Sequence, residues 1–139
     1  MLSLEALVRR FQDGVTHELL TMAEGYIDLG MHEEAWACLE ELPPIDRIMP
    51  EVIDLRVRIC LAMERWEMGS HLANVLSTSV SEEYRKNVAR FYHAYARHLC
   101  ANGMAVLAKE QVRLAVEAWE GIRREIVKDD ELDAVWGSL

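Results

Sequence analysis

Proline and glycine are scarce, aromatic rings are few, and positive charge is in deficit; each shortage removes a class of protein. Three prolines and seven glycines in 139 residues leave no room for a flexible or polyproline linker. With 51% of residues apolar, the chain has the composition of one folded domain. Fifteen lysines and arginines against twenty-four acids give a net charge of −9, which argues against a general nucleic-acid binder, since that needs a basic face. The deficit is uneven. Residues 1–50 hold ten acids and three bases, residues 51–100 six and seven, and residues 101–139 eight and five, a weak lean toward a basic or mixed-charge partner.

Cysteine is also short. Cys38, Cys60 and Cys100 are odd in number and far apart, which fits reduced thiols in a helical core and not a disulfide framework. No apolar run approaches the roughly 20 residues a membrane span requires. Met1 to Phe11 lacks a long apolar core behind a basic start, so no secretory leader is read. The expectation is a soluble, cytoplasmic protein without a membrane or nucleic-acid partner.

What is present is helical periodicity. Leu4, Leu7, Val8 and Phe11 share one face of a short helix capped by Ser3, with Asp13-Gly14 as its stop. Thr16 then caps a helix to Leu29, with Leu19, Met22, Ala23, Tyr26 and Ile27 as its apolar stripe and Gly30 as its left-handed end. His32-Glu33-Glu34 opens the partner helix, its acids at the positive end of the dipole. Ala35, Trp36, Leu39 and Leu42 are its inward positions, and Pro43-Pro44 stop it.

Pro50 suits the first turn of a helix to about Met63. A bend at Glu64-Arg65 leads into Trp66 to about Ser77. Ser79 and Glu82 have capping-box spacing before a long helix through Tyr84, Val88, Phe91, Tyr92, Tyr95, Ala96 and Leu99, ended at Asn102-Gly103. A further helix is predicted from Met104 to about Lys128. Asp129-Asp130 then cap a last short one carrying Leu132, Val135 and Trp136. No stretch alternates as a strand does, so the predicted class is all-α.

The hairpins repeat. Gly30 and Glu64 stand 34 residues apart, as do His32 and Trp66, Ala35 and Gly69, and Leu42 and Leu76. Small residues pair with small ones where helices cross, and large with large at helix ends. A third copy aligns on Ala96, Leu99, Gly103, Ala108, Val112 and Ala115, 39 residues after the second. A helix–turn–helix unit at a period of about 34 residues is the tetratricopeptide signature.

On Ala23, Tyr26, Gly30, Ala35 and Leu39, then Trp66, Gly69 and Leu76, then Ala96, Gly103, Ala108 and Ala115, the chain resembles the tetratricopeptide-repeat family over residues 16 to about 120. It departs from the pattern at Arg47 and Ser81, where the terminal proline is missing, and at Cys60 and Leu99, where the aromatic is lost. The resemblance implies an α-solenoid, a right-handed superhelix of antiparallel helix pairs. Its parts would be an N-terminal capping helix (1–14), repeats at 16–49, 50–83 and 84–122, and a C-terminal capping helix (123–139). One hairpin cannot bury its own apolar face, so stacked neighbours must cover it.

The first helix of each pair lines a concave groove in that family. Carried over, the groove would consist of His17, Leu20, Glu24, Ile27 and Asp28, then Glu51, Asp54, Leu55, Arg58 and Leu61, then Arg90, His93, Ala94, Arg97 and Ala101. One end would be acidic with aliphatics and the other basic, which suits an extended or helical peptide of complementary polarity. The family's best-known site grips a C-terminal carboxylate with lysine, asparagine and arginine. Here the aligned positions hold Leu20, Glu24, Asp54, Leu55, Arg90 and Ala94, so that clamp is missing.

Neither Cys-x-x-Cys nor His-Glu-x-x-His occurs, and no phosphate loop or nucleophile motif is present. Glu33-Glu34, Glu40-Glu41 and Glu82-Glu83 read as solvated helix surface and dipole partners. No catalytic residue, metal or cofactor is expected. The tryptophans at 36, 66, 119 and 136 fall once per hairpin or cap and suit packing, with Trp136 as a possible exposed anchor. The reading is therefore a non-enzymatic module that binds a protein or peptide in its groove. A second reading is a secretion or assembly chaperone that dimerises through Leu4–Phe11, since small acidic three-repeat proteins resemble those. The rival from another class is a small helical metal binder or enzyme.

Overall fold

A computed structural model of the protein describes residues 3–137, and among these every regular element is a helix. The α-helices are α1 (Leu4–Asp28), α2 (His32–Glu40), α3 (Pro50–Ala62), α4 (Trp66–Leu76), α5 (Glu82–Ala101), α6 (Ala105–Ala118), α7 (Arg123–Val127) and α8 (Asp133–Gly137). Short 3-10 turns precede α3, α7 and α8. The expected caps also include residues 1, 2, 138 and 139, which lie outside the described residues.

The three corners share one hydrogen-bond pattern. At the first, Met31 N–H donates to Tyr26 C=O (2.8 Å) and Gly30 N–H to Ile27 C=O (3.0 Å). Arg65 to Cys60 (2.9 Å) with Glu64 to Leu61 (3.3 Å) repeats it, as does Met104 to Leu99 (2.9 Å) with Gly103 to Cys100 (3.1 Å). This is the Schellman closure, whose turning residue lies in the left-handed region. Gly30 and Gly103 supply that at φ 77° and 73°, while Glu64 adopts φ 56° with a side chain in place.

The corners fold α1 onto α2, α3 onto α4 and α5 onto α6, and each pair packs on the next through α3 against α1 and α2, and α5 against α3 and α4. The aligned positions point inward together. Ala23, Ala35, Leu39, Val57, Ala73, Ala96, Ala108 and Ala115 are all at most 1% exposed. Gly69 lies against Phe91, whose ring fills the space a Cβ would need. Helix α3 is a shared wall: Val52, Leu55 and Ile59 belong to one core with α1 and α2, while Ile53, Val57 and Cys60 belong to a second that runs on through α5, α6 and the C-terminal turns.

Three predicted boundaries differ. Helix α1 runs unbroken through Asp13-Gly14, so there is no separate helix at 4–12. No atom lies close to where a Gly14 Cβ would be, so nothing forces a turn, and a mid-helix glycine costs only about 1 kcal/mol. Thr16 is therefore not a cap; its hydroxyl donates to Asp46 Oδ2 at 3.0 Å. Ser81, not Ser79, caps α5 by accepting from Tyr84 N–H at 3.2 Å, while Ser79 Oγ accepts from Ser81 N–H. The predicted helix 104–128 breaks at Trp119, which turns extended (φ −154°, ψ 110°) and lays its ring over Gly121.

Candidate functional site

Where α1, α3 and α5 face one another, a polar hollow of about 440 Å³ opens, lined by Glu24, Glu51, Asp54, Leu55, Arg58, Glu83, Tyr84, Asn87 and Arg90. Spacing along each helix aims them together: Glu51, Asp54, Leu55 and Arg58 follow the three-to-four residue rhythm of one face of α3, as Glu83, Asn87 and Arg90 do on α5. Arg58 sits at the centre. Its guanidinium lies 3.4 Å from Glu24, 4.0 Å from Asp28 and 4.0 Å from Asp54.

Asp54 is the deepest charge, only 5% exposed. Asn87 Nδ2 donates to its Oδ1 at 2.9 Å, and Asn87 Oδ1 accepts in turn from Arg90 at 3.0 Å. Burial pushes the Asp54 carboxyl above its ordinary range; the Asn87 hydrogen bond and Arg58 pull it down, and Glu83 and Glu24 push it up. Tyr84 is raised as well, first by burial and then by Glu51, Asp54 and Glu24. The carboxylates Glu24, Asp28, Glu51, Asp54 and Glu83 outnumber the guanidiniums of Arg58 and Arg90, so the hollow presents uncompensated negative charge.

The other end is arranged differently. His93 Nε2 lies 2.7 Å from Asp129 Oδ2, which also takes Arg97 Nε at 3.1 Å. Arg97 reaches Glu131 Oε2 at 2.6 Å through its second arm. Beside this cluster a smaller hollow of about 390 Å³ is lined by Leu61, Glu64, Trp66, Ala94, Arg97, His98, Ala101 and Glu131. Trp66 stacks on Tyr95 with ring centroids 5.3 Å apart.

Of the residues expected from the sequence, Glu24, Glu51, Asp54, Leu55, Arg58 and Arg90 converge on the first hollow, with Asp28 at its edge through Arg58. Leu61, Ala94, Arg97 and Ala101 converge on the second, with His93 adjoining. Leu20 belongs to the α1–α2–α3 core at 6% exposure, and Ile27 is half-buried against it, so neither offers a binding surface. His17 is exposed and lines neither hollow. Sequence reasoning missed Glu83, Tyr84 and Asn87, although their spacing before Arg90 marks the same helix face. It also missed Asp129 and Glu131, which are distant in sequence and carried no groove signal.

The tryptophans tie elements together. Arg56 lies over the Trp36 ring at 4.2 Å and pairs with Glu40 at 2.9 Å. Lys86 sits over Trp119 at 5.1 Å. Trp136 is 42% exposed beside an apolar hollow of about 650 Å³ between α6 and the C-terminal turns, lined by Val106, Leu107, Val116, Val127 and others. Cys38 and Cys60 are buried free thiols, pushed up by that burial. Among the described residues no three His, Cys, Asp or Glu side chains are grouped to hold a metal, and no helix is long and apolar enough to cross a membrane. Compared with known families, curated proteins and solved structures, the chain finds no match.

Proposed function

We propose that the chain is a tetratricopeptide-like solenoid that binds a peptide or a segment of a partner protein along α1, α3 and α5, without catalysis. The observation that carries this reading is the hollow in which those three helices meet. Residues from successive helix pairs touch across it: Arg58 meets Glu24, 34 positions away, and Asn87 meets Asp54, 33 away. Its uncompensated carboxylates favour a peptide that brings a lysine or arginine, in accord with the net charge of −9. The half-buried ring of Tyr84 offers apolar contact for the stem of such a side chain.

Fluorescence polarisation with labelled lysine-rich and glutamate-rich model peptides tests the reading. The lysine-rich probe should bind the wild type. Glu24→Lys with Glu51→Lys, both exposed positions, should weaken it at least tenfold with unchanged circular dichroism. Binding that survives this double reversal removes the hollow as the site.

A second reading, the chaperone-like dimer, draws support from one feature. Leu4 and Phe11 are 77% and 73% exposed, and Leu7 and Val8 about half so. Light scattering over a range of concentrations tests it: a dimer that Leu7→Ser with Phe11→Ser dissociates supports it, and a monomer at the highest concentration rules it out.

A further inference from the structure

We infer that Asp129 and Glu131 are an intramolecular occupant of the groove's basic end, fixing its preference for cationic partners. The inference rests on the groove reading above. Side chains at His93 and Arg97 form a seat for carboxylates: an imidazole nitrogen and a forked guanidinium on one face of α5, one turn apart. In this protein the seat is already taken. Asp129 Oδ2 is held by both His93 (2.7 Å) and Arg97 (3.1 Å), and Glu131 Oε2 by Arg97 (2.6 Å).

The occupancy is firm. Asp129 and His93 are only 13% and 16% exposed. The Asp129 carboxylate also accepts from Glu131 N–H at 3.0 Å, capping the 3-10 turn 130–132. Ile126 before the turn, Leu132 at its end and Val135 after it are buried to 1% or less, so the acidic turn is anchored on both sides. Two of the arginines on α5 thus have opposite fates. Arg90 faces an excess of acids in the open hollow, whereas Arg97 has its charge answered by the chain itself. A partner's carboxylate must displace a pre-positioned pair of carboxylates to reach Arg97, and pays desolvation without net gain. A partner's cation at the other end competes with Arg58 for Glu24, Asp28 and Asp54, but it also finds Glu51 and Glu83 in the same hollow.

The test compares the lysine-rich and glutamate-rich probes on four proteins. Asp129→Asn with Glu131→Gln keeps the cap, because the one Asn oxygen still accepts from the N–H of residue 131, but removes both charges and replaces the oxygen that His93 and Arg97 share with an NH2 donor. The wild type should bind the lysine-rich probe at least tenfold tighter than the glutamate-rich one. The double variant should narrow that ratio at least tenfold by gaining affinity for the glutamate-rich probe. Adding Arg97→Gln should abolish the gain, and a control with Glu33→Gln and Glu34→Gln, exposed on α2, should not reproduce it. Should the double variant fail to fold by circular dichroism, Glu131→Gln alone, at a position 63% exposed, should give a smaller change in the same direction. An unchanged ratio, an equal change in the control, or a gain that survives Arg97→Gln overturns the assignment while leaving the groove reading in place. Failure of the wild type to bind either probe overturns the groove reading as well.

Discussion

The two ends of the chain carry apolar helical faces of similar sequence character and treat them in opposite ways. At the C-terminus Ile122, Ile126, Leu132 and Val135 are at most 1% exposed, packed on α5 and α6. At the N-terminus Leu4, Leu7, Val8 and Phe11 are exposed along about the first two turns of α1. An amphipathic pattern states that a face prefers burial; it does not state against what. The C-terminal segment breaks its helix at Trp119 and again before Asp129, and those bends let it turn back over its neighbours. The N-terminal segment continues α1 without a break, and among the described residues its apolar face stays exposed.

The largest effect that would sharpen the contrast is at Leu132, which is fully buried. Leu132→Ala should cost about 3 kcal/mol, read as a lowered midpoint in urea; a loss below about 1 kcal/mol would mean the segment is not part of the cooperative core. Next is Gly121→Ala, whose added methyl would run into the Trp119 ring. It should cost about 2 kcal/mol, and an unchanged melting temperature would show that the Trp119 bend yields freely. At the opposite end the same substitution should have the opposite sign. Gly14→Ala meets open space within a helix and should add roughly 1 kcal/mol; destabilisation there would mean that the 13–14 bend read from the sequence forms in solution. Smallest of all, Phe11→Ser should stay within about 0.5 kcal/mol in the isolated chain by the same urea titration.

The parts of the fold that were legible in the sequence are the parts fixed by local chemistry. Gly30 and Gly103 mark left-handed corners because a Cβ there is disfavoured. Ala35 and Ala108 mark helix crossings because only small side chains allow close approach. Pro50 marks a helix start. The misread points were settled by what does and does not surround them in the fold. Asp13-Gly14 is turn chemistry in isolation, yet no neighbour forces the turn. Trp119 sits in a good helical pattern, yet its ring finds Gly121 and Lys86. The bend expected at Glu64-Arg65, by contrast, is present, with Glu64 taking the left-handed corner although it is not a glycine.

The candidate groove divides along the same line. Glu24, Asp54, Arg58 and Arg90 were carried over from the family resemblance, and they line one hollow because each faces the same way on its own helix. Leu20 was misassigned because the depth to which α1 packs on α2 and α3 is not written in the periodicity of α1. The pairing of Arg97 with Asp129 and Glu131 joins residues more than thirty positions apart and depends on where the final turns fold back.

Helix α3 has a role that neither end shares. Because its opposite faces complete two separate clusters, it couples the first hairpin to everything that follows. Loosening either cluster uncovers one side of the same thirteen-residue rod, so both should melt in a single thermal transition, and no fragment cut before or within α3 would retain a complete interior of its own.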